Sequence, residues 1–206
     1  MTRILELPDG VKHWPGYLNT NAQQTLVEAI RERVKAAPLF TPCMPRTGKE
    51  MSVRMTNFGE LGWVTDQERG YRYQKTHPVT GEPWPDIPPL LLDVWETLAN
   101  YPHPPQACLV NFYDDAAKMG LHQDRDEEDF DAPVVSLSLG NECLFRVGGT
   151  ERGGKTMSFR LASGDAMMLS GPSRLAFHGV DRIYPETSDL LKNGGRINIT
   201  MRCVKN

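Results

Sequence analysis

His122 and Asp124 stand two apart in the acidic run "LHQDRDEEDFD". On an extended backbone, residues i and i+2 share a face, so an imidazole and a carboxylate at this spacing can converge on one point. That point could hold a metal. Spacing alone carries little weight, because roughly one chain in four of this length contains a His-x-Asp by composition. A third ligand has to arrive from a distant strand. His178 in "RLAFHGV" alternates with Leu175 and Phe177 and precedes Gly179, whereas His13, His77 and His103 lie in Pro-rich or terminal segments where solvent exposure is expected. A lone strand histidine more often packs than ligates, but its company with His-x-Asp shifts the balance towards a ligand. Two histidines and one carboxylate with open positions form the ligand set of non-heme Fe(II) oxygenases, and a catalytic zinc site is the competing chemistry.

The C-terminal run "RINITMRC" bears on that choice. In a strand, Arg196, Asn198, Thr200 and Arg202 point one way and Ile197, Ile199 and Met201 the other. Two guanidiniums on one face of a buried strand need an anionic partner, since unpaired buried charge is costly. A dicarboxylate supplies it, gripped by the Arg forks. Asn111 and Tyr113 of "LVNFY" are expected to add donors from a facing sheet. The plainer alternative is an edge strand with one solvated face.

These residues need elements to position them. Leu26, Val27, Ile30 and Val34 recur at helical spacing over 21–37, with Asn21 as cap and Pro38 as stop. A second helix is predicted over 89–100. Between them, residues 40–88 mix Gly, Pro and aromatic clusters with the cations Arg46, Lys49, Arg54, Arg69, Arg72 and Lys75. Such a segment suits stacking on bases and neutralising phosphates, or it is an ordinary subdomain packing its own small core. From 105 on, short β segments ("ACLVNFY", "VVSLSL", "CLFRV", "TMSFRL", "DAMMLS", "RLAFHGV", "RINITMRCV") follow one another without helices. That pattern indicates an antiparallel double-sheet jelly roll.

At 206 residues and 39% hydrophobic, the chain can bury the core of a single domain. No run suits a membrane span or secretory signal, so a cytoplasmic protein is expected. Cys43, Cys108, Cys143 and Cys203 are too scattered for a zinc finger or short-loop disulfides and read as buried, reduced thiols. A formal charge of −3 argues against nonspecific polyanion binding.

Over about residues 51–202 the chain resembles the AlkB family of iron- and 2-oxoglutarate-dependent oxygenases, and above all its bacterial nucleic-acid demethylases. The resemblance rests on "MSVRMTNFGELGWVT", "GYRYQ", "NFYDDAAKMGLHQDRDE", "APVVSLSLG", "SRLAFHGV" and "RINITMR". It implies an α+β, mainly β fold: a double-stranded β-helix at about 105–204, flanking N-terminal helices, and a nucleotide-recognition lid at about 40–88. It implies His122, Asp124 and His178 as ligands of Fe(II). Asn111, Tyr113, Arg196, Asn198 and Arg202 would contact 2-oxoglutarate, and Trp63, Tyr71, Tyr73, Asp126 and Arg152 the substrate. The match departs at Glu68 and Arg69, where this chain carries one residue more, and in "DLLKNGG" before the final strand.

The activity so implied consumes O2 and 2-oxoglutarate and demethylates 1-methyladenine and 3-methylcytosine in DNA, with RNA as a further substrate, releasing formaldehyde. Single strands would be tolerated and the enzyme would be a monomer. Two other readings remain at this point. One is an oxygenase of the same architecture acting on RNA, protein or a small metabolite. The other is a non-enzymatic jelly-roll module in which His122 and His178 merely pack.

Overall fold

Alternation along β12 (Arg196–Arg202) sets the layering. Ile197, Ile199 and Met201 join a core with Leu26, Val27 and Ile30 of α1 (Thr20–Ala36) and Leu91, Val94 and Trp95 of α2 (Pro89–Ala99). Arg196, Asn198, Thr200 and Arg202 turn to the other face, where they line a cavity. The computed structural model, which describes residues 6–205, accordingly stacks helices on a large sheet and the large sheet on a smaller one.

The six-stranded sheet runs β1 (Val11–Trp14), β10 (Ala166–Leu169), β7 (Val134–Gly140), β12, β5 (Ala107–Tyr113), β2 (Arg54–Phe58). The four-stranded sheet runs β6 (Met119–His122), β11 (His178–Tyr184), β8 (Glu142–Val147), β9 (Met157–Leu161). A separate hairpin joins β3 (Gly62–Asp66) to β4 (Gly70–Gln74), and every ladder between these strands is antiparallel. From β5 onward the chain crosses between the two sheets again and again, which is the double-stranded β-helix. Met55, Leu109, Phe145, Phe159, Leu161 and Val180 fill the space between the sheets.

Several expectations are corrected. α1 is capped by Asn19, whose extended backbone lets its Oδ1 accept from Ala22 N at 2.9 Å; Asn21 already lies in the first turn. The stretch 40–88 is not one irregular lid. β2 inside it is the edge strand of the large sheet, because Phe58 packs into the helical core while Met55 packs between the sheets. The strand expected across "RLAFHGV" begins only at His178, after a 3-10 turn at Gly171–Ser173.

His77 is buried at 2% exposure, not solvated. Its Nδ1 accepts from Val79 N and Thr80 N, and its Nε2 bonds Pro38 O at 2.8 Å, so the ring ties the 77–80 turn to the end of the first helix. His13 is likewise held, by Asp165 Oδ2 at 2.8 Å. His103 is exposed. All four cysteines are free; Cys108, Cys143 and Cys203 are buried and Cys43 is half-buried.

Candidate active site

Antiparallel pairing of β6 with β11 sets His122 directly opposite His178, with ring centroids 4.5 Å apart. The close approach depends on Gly179, since a Cβ there would meet Met119 O at 2.5 Å. Asp124, two residues beyond the end of β6, returns its carboxylate to both imidazoles, with His122 Nε2 3.7 Å from Oδ1 and His178 Nε2 3.7 Å from Oδ2. All candidate ligand atoms lie within 4.8 Å of one another. Each Nδ1 meets a carbonyl two residues earlier, Gly120 O at 3.0 Å and Ala176 O at 2.9 Å. That contact places the proton on Nδ1 and leaves the Nε2 lone pair free to ligate.

Electrostatics favour a cation at the same point. Burial alone would raise the Asp124 carboxyl, but Arg202 at 2.7 Å, helped by His178, His122 and Arg174, holds it well below the usual carboxylate range. Burial, and next the neighbouring His122, push His178 down to about 4. At neutral pH the site therefore offers a charged carboxylate and a neutral imidazole. Buried Asp124 Oδ2 has no hydrogen-bond partner among the described residues. A metal ion would satisfy it, and two imidazoles with a carboxylate suit Fe(II).

Beside this triad opens a cavity of about 740 Å³ between the sheets. Arg196, with no exposed surface, donates to Ser138 Oγ at 2.7 Å and to Asn141 O at 3.3 Å. It makes no ion pair among the described residues, and its Nε is unbonded. Arg202 is committed differently, to Asp124 and Glu127, although its Nε is also unbonded. Asn111 and Tyr113 do not come from a facing sheet as expected. They lie on β5 beside β12, opposite Asn198 and Arg196 respectively, because β5 and β12 are hydrogen-bonded neighbours. Asn111 Oδ1 is a further buried atom without a partner. A buried guanidinium lacking an anion, among unbonded polar atoms, fits a dicarboxylate such as 2-oxoglutarate.

At the cavity mouth Trp63 and Tyr71 stack with centroids 5.6 Å apart, and Trp63 Nε1 donates to Asp126 Oδ2 at 2.7 Å. Arg152 lies over the Phe177 ring at 5.0 Å. Tyr73 is placed otherwise than its assignment to the substrate implies. It does not line the cavity; its hydroxyl turns inward to Glu127 Oε1 and accepts from Arg202 Nη1 at 3.0 Å.

Sequence reasoning missed Glu127 and Arg174. Both are buried and paired at 3.0 Å, with Arg174 also donating to Asp124 O at 2.8 Å. Glu127 carries no signal of its own within "DRDEEDFD", where acids normally face water. Arg174 stood unremarked in the same short run as His178.

The profile of the 2OG-Fe(II) oxygenase superfamily matches residues 10–202. The chain belongs to this superfamily. Within it the chain is 54% identical to the alpha-ketoglutarate-dependent dioxygenase AlkB homolog of Caulobacter vibrioides, over 98% of this chain and 91% of that one. Identity to AlkB of Escherichia coli is 38%, over 88% and 85% of the two chains. The solved structure of OsALKBH1 is 30% identical and superposes with a TM-score of 0.79, covering 97% of this chain and all of the other. The 2OG-Fe(II) oxygenase fold thus carries an AlkB-type Fe(II)- and 2-oxoglutarate-dependent dioxygenase here. Neither a catalytic zinc site nor a non-enzymatic module accounts for these matches.

Proposed function

We propose that this dioxygenase oxidatively removes N-methyl groups from alkylated bases such as 1-methyladenine and 3-methylcytosine in DNA or RNA. The observation that carries the reading is the Trp63 indole, stacked on Tyr71 and tethered to the Asp126 carboxylate, at the mouth of the cavity that leads to His122, Asp124 and His178. An aromatic face stacks a base of any sequence. These methylated bases are cationic, and a carboxylate beside a π surface favours the cation over its neutral parent. The base has to leave its stack to enter, which costs least in a single strand.

In this reading His122, Asp124 and His178 hold Fe(II). Arg196, which has no carboxylate partner among the described residues, would hold one carboxylate of 2-oxoglutarate with help from Asn198 and Tyr113. Asn111 and Arg202, which already bonds Asp124, would hold the other. When bound, iron and cosubstrate supply the oxidising power for hydroxylating the methyl carbon with O2, after which the base loses formaldehyde. Residues 40–53 and 59–88 act as the lid, and Arg152 at the rim meets the strand. The enzyme would work as a monomer in the cytoplasm on damaged single strands, with Lys49, Lys118, Arg125 and Arg152 of the cavity lining available to meet phosphates.

Formaldehyde release from methylated DNA and RNA oligonucleotides, supplied with Fe(II), ascorbate, O2 and 2-oxoglutarate, tests this directly. Succinate formation without formaldehyde from any methylated oligonucleotide or nucleoside would move the substrate to a protein or metabolite.

A further inference from the structure

The triad's carboxylate is built into a second cluster, in which Asp124, Glu127, Arg174 and Arg202 are buried and Tyr73 is half-buried. Arg202 Nη2 donates to Asp124 Oδ1 at 2.7 Å while its Nη1 reaches Glu127 Oε1 at 3.3 Å and the Tyr73 hydroxyl at 3.0 Å. Arg174 Nη2 closes the other side of Glu127 at 3.0 Å. Two carboxylates and two guanidiniums balance, so Glu127 cancels the charge excess that Arg174 and Arg202 would leave around a single Asp124. Charge balance alone would not require Tyr73. Tyr73 belongs to β4, on the hairpin outside the six- and four-stranded sheets, and its cross-strand partner is Trp63. Trp63 in turn holds Asp126, the residue next to Glu127. The hairpin therefore holds the loop 124–127 at two adjacent points from one face: Trp63 on the exposed Asp126 and Tyr73 on the buried Glu127.

We propose that Tyr73 and Glu127 are positioning residues that couple the seating of the β3–β4 hairpin to the orientation of the Asp124 carboxylate. The proposal rests on the reading of Asp124 as a metal ligand. Arg202 is the shared part, because the same guanidinium bonds the carboxylate and the tyrosine hydroxyl. Burial, with Glu127 beside it, raises the Tyr73 hydroxyl far above its usual range, so it keeps its proton and donates to Glu127. A hairpin that lifts away removes this donor and frees Glu127 to compete with Asp124 for Arg202. A metal that fixes Asp124 holds Arg202 in place and so favours the seated hairpin. Linkage makes the two effects equal in size.

The test uses the full chain with Mn(II) and 2-oxoglutarate, and reads Mn(II) affinity together with amide hydrogen exchange across 62–74. In the parent, Mn(II) with 2-oxoglutarate should slow exchange in the hairpin. Tyr73→Phe, which removes one hydroxyl and keeps the ring, should abolish most of that slowing and weaken Mn(II) severalfold. Glu127→Gln should do the same with a larger loss of affinity, about tenfold. A purely structural Tyr73 would speed hairpin exchange equally with and without metal. Metal-induced slowing that persists undiminished in Tyr73→Phe, or is absent from the parent, overturns the proposal. A parent that does not bind Mn(II) at all overturns it too, and shows directly in the titration that the metal-ligand reading has failed rather than the coupling.

Discussion

β12 and β4 both bring alternating side chains to one site, but they are supported very differently. β12 is bonded along its length to β5 on one side and β7 on the other, with one face under the helices and the other against the second sheet. β4 has β3 as its single ladder partner, and Tyr71 near its start is about half exposed. Arg196, Asn198 and Arg202 stand on the rigid strand; Trp63, Tyr71 and Tyr73 stand on the hairpin. Groups that must meet an invariant cosubstrate and metal need fixed geometry, which interior strands supply. Groups that admit and release a bulky substrate need an element held by fewer contacts, and β4, with no fully buried residue, provides that while the more buried β3 anchors it.

The strongest way to break this contrast is to attack the rigid side. His122→Ala should abolish 2-oxoglutarate turnover while the fold survives, because the side chain is 41% exposed. Asp124→Ala should be equally inactive yet lose stability as well, on the order of 3–5 kcal/mol, since it strips a buried partner from Arg202. Succinate assays and thermal unfolding read the two apart; turnover near the parent level in the His122 variant would refute the assignment.

Next in size, Arg196→Leu should raise the half-saturating 2-oxoglutarate concentration roughly ten- to a hundredfold, the loss of a charge-assisted contact of about 1.5–3 kcal/mol. Arg202→Leu should also raise it, and should in addition destabilise the buried cluster. An unchanged 2-oxoglutarate requirement in both variants would sink the cosubstrate assignment.

On the hairpin side the effects should be selective rather than total. Asp126→Ala should keep iron-dependent decarboxylation while lowering the ratio of formaldehyde to succinate, more for a cationic methylated base than for a neutral one. Because Asp126 also tethers the Trp63 indole, Trp63→Phe, which keeps a ring but loses the N–H, is the companion variant. A ratio unchanged for both bases in Asp126→Ala would make Asp126 an ordinary surface acid.

The smallest effect on function should come from the scaffold. Burial raises the Asp165 carboxyl, but hydrogen bonds from His13, Gly16 N and Ala162 N outweigh it and hold the group below its ordinary value of 3.8. A lowered folded-state value means stabilisation that is present above 3.8 and lost as pH falls through the folded value. Asp165→Asn should therefore lower the melting temperature at pH 7 with turnover unchanged, and the gap from the parent should close in acid. A gap that persists undiminished as the carboxyl of the folded parent becomes protonated in acid would show that the carboxylate's charge is not the source.

Much of the rigid side was legible because its periodicity is strict. "RINITMR" alternates polar and apolar residues without a break, and the cost of burying two arginines unpaired pointed to an anion before any strand was placed. The hairpin side was legible mainly through family likeness. Its local pattern hid β2 inside an apparent lid, and Tyr73 looks like any exposed strand aromatic. His77 misled for a related reason: a Pro-rich neighbourhood reads as surface, yet the turn it makes is folded back on the helix end.

The chain by itself determined what β5 and β12 would present and what chemistry those side chains could do, because alternation and charge cost act over a few residues. Which acid in "DRDEEDFD" would be buried was decided only in three dimensions. Asp124 and Glu127 are committed because Arg202 and Arg174, 78 and 47 residues away in sequence, arrive beside them, while Asp126 between them stays at the surface. A carboxylate's role depends on which cation shares its low-dielectric surroundings, and that neighbour is a product of sheet register and loop closure, not of local sequence.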